Sequence, residues 1–178
     1  VTADEHWQGR FQVQRESGDW VVDGNTGQRF GLNELKLSLS AEQDRLHARL
    51  DASGEHLGAV SVWADMPLTQ TDSGWTMLPD APLAGHLHLH SDDLSWLGPM
   101  LDSNLQSGGR LNFDADLTGT FLTPRLQGLA QGDALSFAFL DQGIRLEQGK
   151  LKVRFEPDAV HVDRFVFSAP YQEPPRDN

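Results

Sequence analysis

Three histidines, His86, His88 and His90, alternate along one short stretch of the chain. On a β-strand this spacing puts all three on one face, and histidines two residues apart can chelate zinc from there. They fill the polar slots opposite Leu87 and Leu89, and no third ligand or supporting carboxylate pattern accompanies them. They therefore read as solvent-facing side chains and not as a metal site. His6, His47, His56 and His161 are isolated and carry no assigned role. Two carboxylate pairs raise a different chemistry, because glycoside hydrolysis uses two carboxyl groups a defined distance apart. Asp92 and Asp93 are more simply the acidic first turn of a helix, and Asp114 and Asp116 the solvated face opposite Phe113 and Ala115. Nothing in their surroundings points to the raised pKa that a general acid needs. The chain contains no Gly-x-Ser-x-Gly elbow, phosphate-binding loop or dinucleotide glycine pattern. The expectation is a protein without catalytic residues, metal or cofactor, and not an enzyme.

The elements that carry these residues belong to a chain of 178 residues, long enough for one domain with a real core. Residues 1–170 read as a single β segment of a larger protein, and residues 171–178 as a linker or fragment end. The apolar fraction is 38%, and the 17 glycines bring the composition into the globular range. A net charge of −12 repels phosphate backbones and anionic lipid surfaces, which argues against nucleic-acid binding. The absence of cysteine removes disulfides, thiol nucleophiles and thiolate zinc sites together. No apolar run reaches the roughly 18 residues of a membrane helix, and Val1-Thr2-Ala3-Asp4 has no signal-peptide character. Any targeting or anchoring segment is expected to lie outside this sequence.

Alternation of apolar and polar residues dominates, as in strands with one buried and one wet face. It runs through Phe11-x-Val13, Leu35-x-Leu37-x-Leu39, Val60-x-Val62, Leu87-x-Leu89, Leu111-x-Phe113-x-Ala115-x-Leu117 and Leu135-x-Phe137-x-Phe139. It resumes at Ile144-x-Leu146, Leu151-x-Val153-x-Phe155, Val160-x-Val162 and Phe165-x-Phe167. Turn chemistry separates these runs at Asp23-Gly24-Asn25, Ser53-Gly54, Ser107-Gly108-Gly109, Gly132-Asp133, Asp141-Gln142-Gly143 and Pro157-Asp158, which predicts an antiparallel meander. A weak repeat of glycine, polar, apolar, polar, apolar begins at Gly9, Gly85, Gly109 and Gly149, as if a turn glycine launched each strand. Its irregular spacing speaks against a strict solenoid.

Two segments compete with an all-β reading. Ser40-Ala41-Glu42-Gln43 has capping-box form, yet Leu46-x-Ala48-x-Leu50-x-Ala52 continues the alternation, so a hairpin turning near residues 42–44 is expected. Residues 91–103 suit at most one short helix or two successive turns, with Ser91 as cap, Leu94, Leu97 and Leu101 on one face, and Pro99 interrupting it. Trp96 and Leu97 read as core packing that closes one end of the sheet. Residues 65–82 read as a loop or irregular hairpin around Trp75-x-Met77.

Strands with apolar faces and almost no helix to cover them must bury that surface against themselves, a second sheet or a ligand. A plain sandwich or barrel core is one outcome, and a sheet curled into an oily trough is the other. Strand parity points inward Phe11, Leu37, Leu87, Leu89, Leu111, Phe113, Leu117, Leu135, Phe137, Phe139, Leu146, Leu151, Val153, Phe155, Phe165 and Phe167.

An ordered set of motifs bears on that choice. Leu94-Ser-Trp96-Leu-Gly98-Pro-Met-Leu101-Asp-Ser-Asn104, continuing through Gly109-Arg-Leu111, is followed by Gly119-Thr-Phe-Leu-Thr-Pro124-Arg-Leu-Gln-Gly128. Gly132-Asp-Ala-Leu135, Leu140-Asp-Gln-Gly-Ile-Arg-Leu146 and Gly149-Lys-Leu151 come next. This order resembles the C-terminal region of the TamB family, the inner-membrane subunits of the bacterial translocation and assembly module, which is similar to the AsmA-like bridge proteins. The match runs from about residue 83 to 170 and thins to mere alternation before that. The resemblance implies an all-β fold: a long curled, mostly antiparallel sheet forming a hydrophobic groove, a β-taco, with one short helix near 91–103. It implies a periplasmic location within an inner-membrane-anchored protein of Gram-negative envelopes. It implies a TamA-like outer-membrane barrel as partner, reached near the family's extreme C-terminus, and phospholipid acyl chains in the groove. The implied function is phospholipid transport from inner to outer membrane. The alternative is a chaperone-like module that assists assembly of nascent outer-membrane proteins such as autotransporters.

Overall fold

The computed structural model describes residues 8–19, 21–22, 28–72 and 74–169. The turn expected at Asp23-Gly24-Asn25, the isolated His6 and the linker at 171–178 lie outside the described residues. The strands are, in chain order, β1 (Gly9–Gln14), β2 (Val21–Val22), β3 (Gln28–Arg29), β4 (Leu32–Glu42), β5 (Arg45–Gly54), β6 (Gly58–Pro67), β7 (Thr69–Thr71), β8 (Gly74–Thr76) and β9 (Ala84–Ser91). A five-residue helix, α1 (Leu97–Leu101), separates β9 from β10 (Leu105–Gly119), β11 (Pro124–Phe139), β12 (Ile144–Glu156) and β13 (Ala159–Ser168).

Nine of these strands form one antiparallel sheet in the order β1-β4-β5-β6-β9-β10-β11-β12-β13. Every pairing is between strands that follow one another in the main sheet, so the chain is a single meander with two small hairpins, β2-β3 and β7-β8, set into its connections. The expected hairpin near residues 42–44 is present. Gln43 and Asp44 both take positive φ, 51° and 58°, between the paired residues Glu42 and Arg45, which is the turn whose twist matches a two-residue hairpin. The irregular hairpin between residues 65 and 82 is β7-β8. The sheet is neither closed nor strongly curled, and β1 and β13 are its two edges.

Two turn assignments are corrected. Ser107-Gly108-Gly109 and Gly132-Asp133 do not end strands; they lie inside β10 and β11 as register shifts, between Gly108 and Arg110 and between Gly132 and Leu135. A third shift falls in β12 between Glu147 and Lys150, at the level of Gly149. Gly109 (φ +106°), Ala134 (φ +50°) and Gln148 (φ +54°) supply one left-handed residue to each of the three adjacent strands. The residues that make a tight turn also make a bulge, since both need an unusual backbone angle. Gly109 and Gly149 therefore sit mid-strand, and the repeat that begins at them marks a bulge line and not the start of a strand.

The short helix expected near residues 91–103 is α1, Leu97–Leu101. Ser91 does not cap it: this residue ends β9, is buried, and its hydroxyl donates to the carbonyl of Asp93 at 3.0 Å. Asp92 and Asp93 are not in its first turn, which carries no acidic residue. Asp93 instead accepts the Ser95 N–H at 2.9 Å and contacts His56 Nδ1 at 3.0 Å. Pro99 falls in the first turn of α1, where its missing N–H costs nothing, so the helix begins just before the proline and is not broken by it. Ser107 anchors this unit to β10 by donating to the Leu94 carbonyl at 2.5 Å and accepting the Gly98 N–H at 2.6 Å.

The core lies at this end of the sheet. Phe30, Leu32, Leu94, Trp96 and Leu135 form the buried cluster, with Leu57, Leu97, Leu111, Phe137, Leu151 and Phe167 packed around it. The Phe30 and Trp96 rings meet at 5.6 Å, and Phe137 and Phe167 at 5.8 Å. Trp96 and Leu97 thus take the closing position expected of them.

Candidate functional site

The register converts sequence alternation into two chemically opposite faces. On one face a row of directly paired residues crosses all nine strands: Val13, Leu37, Leu50, Val62, Leu87, Ala115, Gly128, Phe155 and Val160. A neighbouring row carries Leu35, Ala52, Val60, Leu89, Phe113, Ala130, Val153 and Val162. A third runs Phe11, Leu39, Ala48, Ala64, Gly85, Leu117 and Leu126. Leu111, Gly132, Leu151 and Phe165 form the row nearest the bulge line. No charged side chain interrupts any of them.

Most of the residues that strand parity singles out fall in these rows, on one face of the sheet. Phe11, Leu37, Leu87, Leu89, Leu111, Phe113, Leu117, Leu151, Val153, Phe155 and Phe165 all belong to the apolar face. Beyond the bulge line Phe137 pairs with Leu146 and Phe139 with Leu105 and Ile144. Leu135 is buried in the core cluster, and Leu111, Phe137, Leu151 and Phe167 pack against it while keeping part of their surface exposed. Among the rest, Leu37, Leu87, Leu89, Phe113 and Val153 are half-buried, while Phe11 and Phe165 at the two edges are 55% and 66% exposed.

Side-chain size gives this face relief. In the third row Ala48, Ala64 and Gly85 lie between Leu39 on one side and Leu117 on the other, so the middle is low and the flanks are high. Further along, Gly128 brings β11 close to β10: a Cβ placed there meets the Ala115 Cα at 2.5 Å and its Cβ at 2.6 Å. Over the small residues of β11, the Phe113 ring on β10 reaches the Phe155 ring on β12, edge to face at 5.4 Å.

The opposite face is polar. His86, His88 and His90 stand on it as expected, and the structure adds partners that the spacing alone did not reveal. Each is directly opposite a polar residue of β10: His86 faces Asp116, His88 faces Asp114 and His90 faces Asn112. His86 Nδ1 contacts Asp116 at 2.9 Å, His88 Nδ1 contacts Asp114 at 3.0 Å, and His90 Nδ1 contacts Asn112 Oδ1 at 2.5 Å. The Asp116 hydrogen bond holds the His86 imidazole above its ordinary range against the opposing effect of burial, with the charges of Asp114 and Asp116 adding to it. Asn112, then Asp92, does the same for His90. The His88 hydrogen bond in turn takes Asp114 below the usual carboxylate range. A pairing rule could have found this ladder, since His-x-His-x-His on one strand meets Asn-x-Asp-x-Asp on its antiparallel neighbour once the apolar rows are aligned. Among the described residues no group of three or more histidine or carboxylate side chains is arranged to hold a metal ion.

Arg45 and Asp65 at 2.7 Å, Arg49 and Asp51 at 2.7 Å, and Arg154 and Asp163 at 2.8 Å extend the polar face across the sheet. Trp63, directly opposite His86, is a large exposed aromatic on this face. Among the described residues no helix is long and apolar enough to cross a membrane. No family model, curated protein or solved structure matches the chain.

Proposed function

We propose that this chain is a periplasmic segment of a TamB-like, inner-membrane-anchored protein. Its apolar sheet face shields phospholipid acyl chains as they pass from the inner to the outer membrane, and a TamA-like outer-membrane barrel is the partner. The observation that supports this reading is the set of uninterrupted apolar rows, paired strand by strand and left partly bare outside the core cluster. In this proposal the two edges draw toward each other over the apolar face to make a trough, and the low line of Ala48, Ala64 and Gly85 is its floor.

The energetics make such a path useful. At about 0.8 kcal/mol per methylene, a lipid with two chains of roughly 15 methylenes resists entering water by ~20 kcal/mol. A continuous apolar surface offsets most of that, and head groups stay in water. No specific polar contact is required, which fits a face built from repetition and not from a pocket.

A second reading is strand capture, in which an edge pairs with nascent strands of outer-membrane barrels. The feature in its favour is β13, a ten-residue edge with Val160, Val162, Phe165 and Val166 exposed. Photo-crosslinking in cells separates the two. A crosslinker at Phe113 is expected to recover phospholipid, and one at Asp114, its neighbour on the polar face, is not. No lipid from Phe113, or equal amounts from both, overturns the lipid reading. Adducts from β13 to unfolded barrel proteins without lipid at Phe113 select strand capture.

A further inference from the structure

The polar face carries a cavity of about 500 Å³ beside the bulge line, and its net charge is opposite in sign to that of the chain as a whole. Arg110, Lys150, Lys152 and Arg164 line it against Asp92 and Asp133. Asp133 is already held by Arg110 at 2.6 Å and lies 4.0 Å from Lys150, and Asp92 contacts His90 Nε2 at 3.3 Å. That leaves Lys152 and Arg164, which are directly paired across β12 and β13. Two like charges in opposed positions repel. Among the described residues neither forms an ion pair. Lys152 feels the charge of Asp163, but both oxygens of that carboxylate are bound by Arg154 at 2.8 and 3.0 Å.

The same cross-strand row continues from Lys152 through Gln131 to Asn112. His90 occupies the Asn112 carbonyl oxygen, so the Asn112 amide nitrogen is the group left to donate toward the cavity. We propose that this cavity binds a phosphate group, with Lys152 and Arg164 as the charge clamp and the Asn112 and Gln131 amides as neutral donors. A dianionic oxyanion relieves the repulsion of the clamp, and a guanidinium beside an ammonium offers both fork and point-charge contacts to it. The site lies on the face opposite the apolar rows, so the shielding of acyl chains and this site stand or fall separately.

The test compares the full chain with the double variant Lys152→Gln/Arg164→Gln, using inorganic phosphate against chloride at equal ionic strength. Phosphate is expected to raise the unfolding temperature of the parent more than that of the variant, and to shift the amide resonances of Lys152 and Arg164. The variant is expected to bind phosphate roughly tenfold more weakly. Equal responses of the two proteins overturn the proposal, because they report a general salt effect. So does an equal loss in Lys36→Gln, which removes a cation on the distant strand β4. Glycerol phosphate and phosphatidylglycerol vesicles then distinguish the source of the group. Displacement of phosphate by glycerol phosphate assigns a free organic phosphate, and vesicle binding that the double variant loses, without such displacement, assigns a lipid head group.

Discussion

Leu135 and Leu87 are both strand leucines on the apolar face, yet Leu135 is 3% exposed inside the cluster of Phe30, Leu94 and Trp96 while Leu87 on β9 keeps part of its surface bare. The difference lies in what covers them, not in the strands that carry them. At the bulge line the loop from Ser91 to α1 folds back over the sheet and a conventional core results. Away from it, the same alternation continues from β1 to β13, and among the described residues many of its apolar side chains stay half-buried or exposed. One region uses its apolar surface for stability, and the other keeps it available.

Leucine-to-alanine substitutions break this contrast most directly. Leu135→Ala is expected to cost about 2–5 kcal/mol in urea unfolding, the range for a large-to-small change in a closed core. Gly128→Ala comes next at about 1–3 kcal/mol, because the added methyl meets Ala115 and forces β10 and β11 apart. Leu87→Ala is expected to cost about 1 kcal/mol, since only part of its side chain leaves water and no sealed cavity is formed. A Leu87→Ala loss as large as that of Leu135→Ala means that the apolar face is covered along its whole length.

The smallest effect belongs to the polar face. His86 and His90 have raised pKa values in the folded protein, so their contribution is fully present below the ordinary imidazole pKa and is lost as pH rises through the folded values. Melting temperature is therefore expected to decline slightly from about pH 6 to pH 8. Asp116→Asn is expected to flatten that slope, with His90 supplying what remains. The depressed Asp114, Asp133 and Asp163 work in the other direction: their contribution is present above the ordinary carboxylate pKa and is lost as pH falls through their folded values.

Much of the fold was legible because periodicity of two is a local property, and every long alternating run became a strand of the main sheet. Bulges were not legible for a physical reason. Gly108-Gly109 and Gly132-Asp133 satisfy the chemistry of a turn, and only the length of the partner strand decides whether the chain reverses there or continues. Phe30 gave no signal, since it precedes an alternating run without belonging to one, and its burial depends on distant Trp96. The His–Asp ladder needed the register of β9 against β10, and the phosphate cavity needed that of β12 against β13 as well. The apolar rows could be anticipated strand by strand, but their continuity across nine strands is a property of the assembled sheet.

Since neighbours in the main sheet follow one another along the chain, no crossover among the described strands ties one side to the other. Such an arrangement can zip up from any hairpin and add partners one at a time, so closure of long loops does not limit its folding. It also lets evolution widen or narrow the molecule by whole hairpins without rewiring what remains.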